Sequence, residues 1–106
     1  MPKFLVKASY TQEGLKGLLK EGGSSRKATI DQLITGLGGT MDGFYYAYGD
    51  ADVYVIADVP DDATMMAVSL AVGASGSVTL STTVLVDAET VDEAAKRTVA
   101  YRPPGA

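Results

Sequence analysis

The sequence has no cysteine and no histidine among its 106 residues. Without them the chain cannot form a disulfide, a thiolate nucleophile, a Ser-His-Asp triad, a Cys/His zinc site or a His-ligated haem. Acid–base chemistry would then depend on carboxylates, lysines or tyrosines. We therefore expect neither a cofactor nor a metal centre.

The sequence is also poor in basic residues and in long apolar runs. Its 9 Lys and Arg against 13 Asp and Glu give a formal net charge of −4, which argues against a protein that binds nucleic-acid phosphates. No apolar run approaches the roughly 20 residues that cross a bilayer, and the N-terminal segment lacks the pattern of a signal peptide. We expect a cytoplasmic protein with no nucleic-acid or membrane partner.

The composition is typical of one small globular domain. The chain has 106 residues, of which 46% are hydrophobic and 21% are charged. We expect the domain to span residues 1–100 and a proline-stiffened tail to follow over residues 101–106.

Residues 39–60 predict a β-hairpin. Two runs rich in aromatic and β-branched residues flank a Gly-Asp-Ala break at residues 49–51, and four of the six tyrosines lie here. The preferred register has a three-residue loop with Tyr48 opposite Asp52. It places on a helix-covered face Tyr45, Ala47, Val53, Val55, Ala57 and Val59. It places on the opposite face Phe44, Tyr46, Tyr48, Tyr54 and Ile56.

The second of these sets is aromatic and amphipathic. Such a face suits contact with another subunit or with a ligand, and we expect it to form the oligomer interface. The alternative is that these tyrosines are ordinary strand residues with hydrated hydroxyl groups.

The residues before the hairpin predict a strand and then a broken helix. Residues 3–10 alternate between apolar and mixed side chains, as in a strand. Thr11 caps the helix that follows, Gly22-Gly23 interrupts it, and Ser24 or Ser25 restarts it. The glycine pair at residues 38–39 ends the second part.

The residues after the hairpin predict a helix, a strand and a last short helix. Pro60-Asp61-Asp62 forms a turn with an N-cap. The buried stripe of the next helix is predicted to consist of Ala63, Met66, Ala67, Leu70, Ala71 and Ala74. Residues 77–86 alternate as a half-buried strand. Thr90 and Glu93 match a capping box, which predicts a helix from Thr90 to about Val99.

The order of these elements indicates an α+β protein. It is the βαββαβ pattern of a ferredoxin-like sandwich, with a broken first helix and an added C-terminal helix. Helices on one face of a four-stranded sheet leave the other face uncovered. We therefore expect a homo-oligomer of the dimeric α/β-barrel type, most simply a two-fold dimer closed through that face.

Five short segments, spread over nearly the whole chain, resemble the pattern of a known family. They are Gly38-Gly39, Phe44-Tyr45, Gly49-Asp50-Ala51-Asp52-Val53, Pro60-Asp61-Asp62 and Gly76. This pattern is similar to that of GYD-domain proteins, small bacterial proteins of mostly uncharacterised function. The eponymous motif is Gly, any residue, Tyr, Asp, so that Gly49 and Asp52 match it while Ala51 replaces the tyrosine. The resemblance implies a ferredoxin-like fold and oligomers, and it brings no established catalytic residue.

Arg26 is the first candidate for a ligand site. It follows the Gly22–Ser25 segment that opens a helix, and the family usually has an arginine there. Backbone N–H groups, the helix dipole and a guanidinium together suit a carboxylate or a phosphate. The alternative is that a serine caps the helix and Arg26 pairs with a nearby acid.

The clustered carboxylates give a weaker signal. They are Asp50, Asp52, Asp58, Asp61 and Asp62. A hard-metal site needs several oxygen ligands at one point, and this spacing does not enforce that. Aspartates in turns commonly bond their own backbone, so we expect no metal site here.

Two functions remain open. The leading hypothesis is a non-catalytic assembly or small-molecule binding protein. The alternative is a cofactor-independent enzyme of the dimeric α/β-barrel kind, which acts on an apolar or aromatic substrate in the cleft between sheet and helices. The candidate ligand-binding residues are Arg26, Tyr45, Tyr46, Tyr54 and Asp58. A closed pocket with a buried carboxylate or tyrosine would favour the enzyme.

Overall fold

The computed structural model describes residues 1–106 and contains four strands and four helices. Their order is β1 (Lys3–Tyr10), α1 (Gln12–Glu21), α2 (Gly23–Gly36), β2 (Thr40–Tyr46), β3 (Val53–Asp58), α3 (Asp62–Ala74), β4 (Val78–Leu85) and α4 (Ala88–Ala95). The strands form one antiparallel sheet in the order β2-β3-β1-β4. This α+β architecture is compatible with the predicted ferredoxin-like fold. No helix has both the length and the apolar character needed to cross a membrane.

Helices α1, α2 and α3 cover one face of the sheet, and the buried side chains form two clusters. The first cluster joins Ile34 of α2 to Phe44 of β2 and to alternate residues of β3. The second joins Met65 of α3 to Phe4 of β1 and to Val59. The predicted alternation of β1 is confirmed, because Phe4 lies on the covered face and Lys3 on the open face.

The predicted break in the first helix is confirmed. Thr11 caps α1, since its Oγ1 accepts from the Gly14 N–H at 3.2 Å. Gly22 has a φ of 90°, a left-handed conformation that separates α1 from α2. The predicted serine cap is wrong, because α2 begins at Gly23 and its N-cap Gly22 has no side chain to accept a hydrogen bond.

Aspartates cap the last two helices. Asp61 accepts from the Thr64 N–H at 2.8 Å, as predicted. Thr90 is not the cap of α4, however, because its N–H donates to Asp87 at 2.9 Å and the helix starts earlier. Hydrogen bonds from Thr64 and Thr90 lower the pKa values of the two carboxyls. The stabilisation is therefore present above the ordinary aspartate pKa and is lost as pH falls through the lowered values.

The predicted hairpin register is wrong by one residue. Tyr46 lies opposite Val53 and Tyr45 opposite Tyr54, and the Ala47 N–H donates to the Asp52 carbonyl at 2.8 Å. The loop therefore has four residues, 48–51, which turns every side chain of β2 to the other face. Phe44 and Tyr46 were predicted on the open face but lie on the covered face. Tyr45 was predicted on the covered face but lies on the open face.

The predicted buried stripe of α3 is also wrong. Met65 is buried and Val68 and Val72 are half-buried, whereas Met66 and Leu70 are 58% and 65% exposed. Apolar periodicity cannot select a face here, because apolar residues surround nearly the whole helix.

The C-terminal arm, residues 86–106, extends away from the sheet. No residue of α4 is buried, and Val99 and Tyr101 are 77% and 72% exposed. The radius of gyration is 17.1 Å, although a compact domain of this length has about 13 Å. The arm accounts for an elongated chain that measures 56 × 34 × 23 Å.

Two glycines of α1 should respond oppositely to alanine. A Cβ at Gly14 would overlap the Ser77 carbonyl oxygen, whereas a Cβ at Gly17 would meet no atom within 4 Å. We expect Gly14→Ala to destabilise the protein by about 1 to 3 kcal/mol, because α1 must move away from β4. Gly17→Ala should stabilise it by about 0.5 to 1 kcal/mol. Urea unfolding measures both, and a Gly14→Ala protein as stable as wild type would contradict this close approach.

Candidate functional site

A cleft of about 510 Å³ lies between the covered face of the sheet and the helices. Its wall is mostly apolar and is formed by helices α1, α2 and α3 and by strands β1, β3 and β4. It includes Val6, Ala8, Ile30, Leu33, Val55, Val68, Val72 and Leu80. This volume and lining are typical of sites that bind small molecules.

The ionisable groups of the cleft are few. Tyr10, Glu13, Glu21 and Arg26 line it, and Arg26 is the only cation among the lining residues. Arg26 Nε lies 3.8 Å from Glu21 Oε2. That separation is an ion pair but is too long for a hydrogen bond, so the guanidinium keeps its donors for another acceptor. The pairing with a nearby acid that the sequence left open is thus present.

Tyr46 fixes the helix break beside Arg26. Its hydroxyl donates to the Gly23 carbonyl at 2.9 Å, and its ring packs edge-on against Phe44 at a centroid distance of 5.2 Å. Burial, with a smaller contribution from nearby Tyr10, raises the pKa of Tyr46, which Arg26 opposes. Tyr46 therefore joins β2 to the start of α2 as a neutral hydrogen-bond donor.

The open face of the sheet carries a second group of candidate residues. Tyr45 is 66% exposed and lies opposite Tyr54, and Lys7 Nζ lies 6.0 Å from the centre of the Tyr54 ring. The Tyr45 ring packs over Gly43, where a Cβ would lie only 3.1 Å from it. Together with Ile56, these side chains form an aromatic and apolar surface beside one lysine.

Paired charges lie at one end of the open face. Lys3 donates to Asp42 and, at 2.9 Å, to Asp58. Hydrogen bonding to the carboxylates raises the pKa of Lys3, and hydrogen bonding to Lys3 lowers the pKa of Asp42. Asp58 is therefore occupied by an ion pair and lies on the face opposite to Arg26.

A family model described as the GYD domain matches residues 4–95. The chain belongs to the GYD-domain family. Comparison with curated proteins and with solved structures gives no significant match. The predicted resemblance is thus confirmed.

The aspartate of the GYD motif joins the hairpin to β1 of its own chain. Asp52 Oδ2 accepts from the Tyr10 N–H at 2.8 Å, and the Asp52 N–H donates to the Ala8 carbonyl at 2.9 Å. Ala51, at the position of the motif tyrosine, is only 3% exposed, whereas Gly49 lies in the exposed part of the loop. Asp52 thereby holds Tyr10 in place at the polar end of the cleft.

The predicted site residues thus fall into two groups on opposite faces. Arg26 lines the cleft and Tyr46 lies next to it, while Tyr45, Tyr54 and Asp58 lie on the open face. Tyr48, predicted in the interface, is fully exposed in the loop beyond the strands. Tyr10 was not among the predicted site residues, although its place at the end of the first strand, on the same side as Phe4, indicates that it faces the helices.

Replacing the motif aspartate should cost more stability than replacing its neighbour. Asp52→Ala removes the acceptor of the Tyr10 N–H, and we expect a loss of about 1.5 to 3 kcal/mol. Asp50→Ala changes an exposed aspartate of the same loop, and we expect a change within about 0.5 kcal/mol. Urea unfolding compares the two variants. Equal losses of unfolding free energy would contradict the role of Asp52 in joining the hairpin to β1.

Proposed function

We propose that the protein is a non-catalytic small-molecule binding protein that acts as a homo-oligomer. The apolar cleft with a single cation at its polar end carries this proposal. The ligand is apolar or aromatic and bears a carbonyl or one anionic group that Arg26 binds. Glu21 lies beside the cation and Glu13 also lines the cleft, so a carbonyl or a carboxylate is better tolerated than a multiply charged phosphate.

The distribution of ionisable groups supports binding over catalysis. Catalysis requires reactive groups that converge on one substrate, and such sites commonly contain buried ionisable groups. No polar or charged residue of the chain is buried. The candidate groups for an enzyme were Arg26, Tyr45, Tyr46 and Asp58; Tyr46 lies next to Arg26, but Tyr45 and Asp58 lie across the sheet from it. The enzyme alternative therefore has less support than the binding protein.

Arg26 has a matched control in the next residue. We expect wild type to bind anilinonaphthalene sulfonate, a fluorescent apolar anion, with enhanced fluorescence. Arg26→Ala should weaken binding about 10-fold, the effect of losing one charged hydrogen bond. Lys27→Ala removes the same charge from α2 outside the cleft and should leave binding unchanged.

A second pair of variants determines where the dye binds. Ala71 lines the cleft and Ala67, one turn earlier on α3, does not, while both are exposed. Ala71→Phe should reduce binding by occupying the cleft, and Ala67→Phe should not. Equal binding by Arg26→Ala and wild type would remove Arg26 from the site. Equal binding by Ala71→Phe and wild type would place the dye outside the cleft.

The open face of the sheet supports assembly. Its apolar side chains include the exposed Tyr45 and the half-buried Leu5, Tyr54 and Ile56. The charges at its end are already paired between Lys3 and two aspartates. A second copy that covers this face would bury aromatic area, and Lys7, which lies over the Tyr54 ring, is the one unpaired charge that the interface would contain. This arrangement favours a two-fold dimer.

Two tyrosines of the same hairpin test this interface. We expect Tyr45→Asp to lower the light-scattering mass at micromolar concentration, because the new carboxylate would be buried without a partner. Tyr48→Asp places the same charge in the loop beyond the strands, and we expect the mass to stay that of wild type. A wild-type protein with the mass of one chain would contradict the proposed assembly.

A further inference from the structure

The outward side of α3 is an apolar surface with no partner in its own chain. We call it the outer stripe, and it consists of Ala63, Met66, Ala67, Leu70 and Ala74. Met66 and Leu70 are 58% and 65% exposed. No charged residue follows Asp62 in this helix, and helices that are apolar on all sides are normally buried on all sides. The outer stripe therefore has the character of a contact surface.

The C-terminal arm contains a helix that also lacks a partner. The apolar side of α4 consists of Ala88, Val91, Ala94 and Ala95, and acidic residues occupy the opposite side. None of its residues is buried, and Val91 is 57% exposed. A helix of eight residues is not stable in water by itself, so it needs a surface to pack against.

We propose that α4 of one copy packs antiparallel on the outer stripe of a second copy. The lengths are compatible, since α3 has 13 residues and α4 has 8, about 20 and 12 Å. The small residues of both helices allow close approach of their axes. The antiparallel direction places Lys96 and Arg97, which follow α4, beside Asp62 at the start of the partner's α3.

The direction of the helices explains why the partner is a second copy. Within one chain, β4 ends opposite Lys3, at the same edge of the sheet where β3 ends and α3 begins. An arm folded back along its own α3 would therefore run parallel to it. That direction carries Lys96 and Arg97 away from Asp62, whereas the antiparallel arm of another copy pairs these charges.

Reciprocal exchange gives a closed pair. Each copy donates its arm and accepts the arm of the other, so a two-fold arrangement occupies both outer stripes. This contact uses neither the cleft nor the open face of the sheet. It can therefore be tested separately from ligand binding and from assembly through Tyr45.

The absence of cysteine allows a direct test by disulfide formation. A Val91→Cys protein is mixed with a Leu70→Cys protein that carries a mass tag, and the mixture is oxidised mildly at micromolar concentration. We expect the mixed disulfide to exceed both homodimers several-fold on a non-reducing gel. The control replaces Leu70→Cys with Leu19→Cys, since Leu19 is an 85% exposed leucine of α1. A yield no greater than this control would overturn the proposal.

Three further variants test the partner and the direction. A single chain that carries both Leu70→Cys and Val91→Cys should form linked chains, and closure within one chain at high dilution would overturn the exchange. Lys96→Glu with Arg97→Glu in the arm should lower the mixed yield several-fold, and Asp62→Lys in the acceptor should restore it. An unchanged yield with the reversed charges would overturn the antiparallel arrangement.

Discussion

The hydrogen bond from the Tyr10 N–H to the Asp52 carboxylate is the contact on which the arrangement of this GYD domain depends. It joins the last residue of β1 to the residue before β3, where the ladder between these strands ends. The Asp52 carbonyl also accepts from Ala47, so one residue connects β1, the hairpin loop and the extension of β2. Thr11, which follows Tyr10, then caps α1 and donates to Gly76 at 2.8 Å. The position of the first helix thus follows from the end of the first strand.

The cleft lies where two buried cores are joined through the half-buried Val6 and are not packed directly on each other. On one side, Gly14 permits α1 to approach the backbone at Ser77, and α2 packs on the hairpin through Ile34. On the other side, α3 packs through Met65 on Phe4 and Val59. The helices are held at separate places on the sheet, and the apolar side chains between them remain accessible. Because hydrophobic burial is incomplete there, a ligand of matching shape would complete it.

The sequence predicted those features that depend on local chemistry. Alternation in β1, the caps at Thr11 and Asp61, and the break at Gly22 each follow from a few adjacent residues, and the structure contains all of them. The cap at Asp87 was missed because Thr90 and Glu93 imitate a capping box, although a better acceptor precedes them.

Features for which the apolar pattern allows two similar arrangements could not be predicted in this way. The hairpin has aromatic residues on both faces of β2, so the apolar pattern did not distinguish a three-residue loop from the four-residue loop. In α3 the apolar residues surround the helix, and only its packing on Phe4 selects Met65 over Met66. The cleft depends on the spacing of three helices over the sheet, which no local pattern contains. For the same reason Tyr10, which lines the same cleft as Arg26, was not predicted as a site residue.

The strand β2 gives the domain a physical connection between its two candidate surfaces. Adjacent residues of a strand point to opposite faces, so Tyr45 lies on the open face while Tyr46 reaches the helix break beside Arg26. A partner that packs on Tyr45 would restrict β2, and through the Tyr46–Gly23 hydrogen bond it would also restrict the start of α2. Arg26 lies in the first turn of that helix, so its position relative to the cleft depends on the same strand. The proposed assembly on one face would therefore order the cation on the other, and it would reduce the conformational entropy that is lost when a ligand binds.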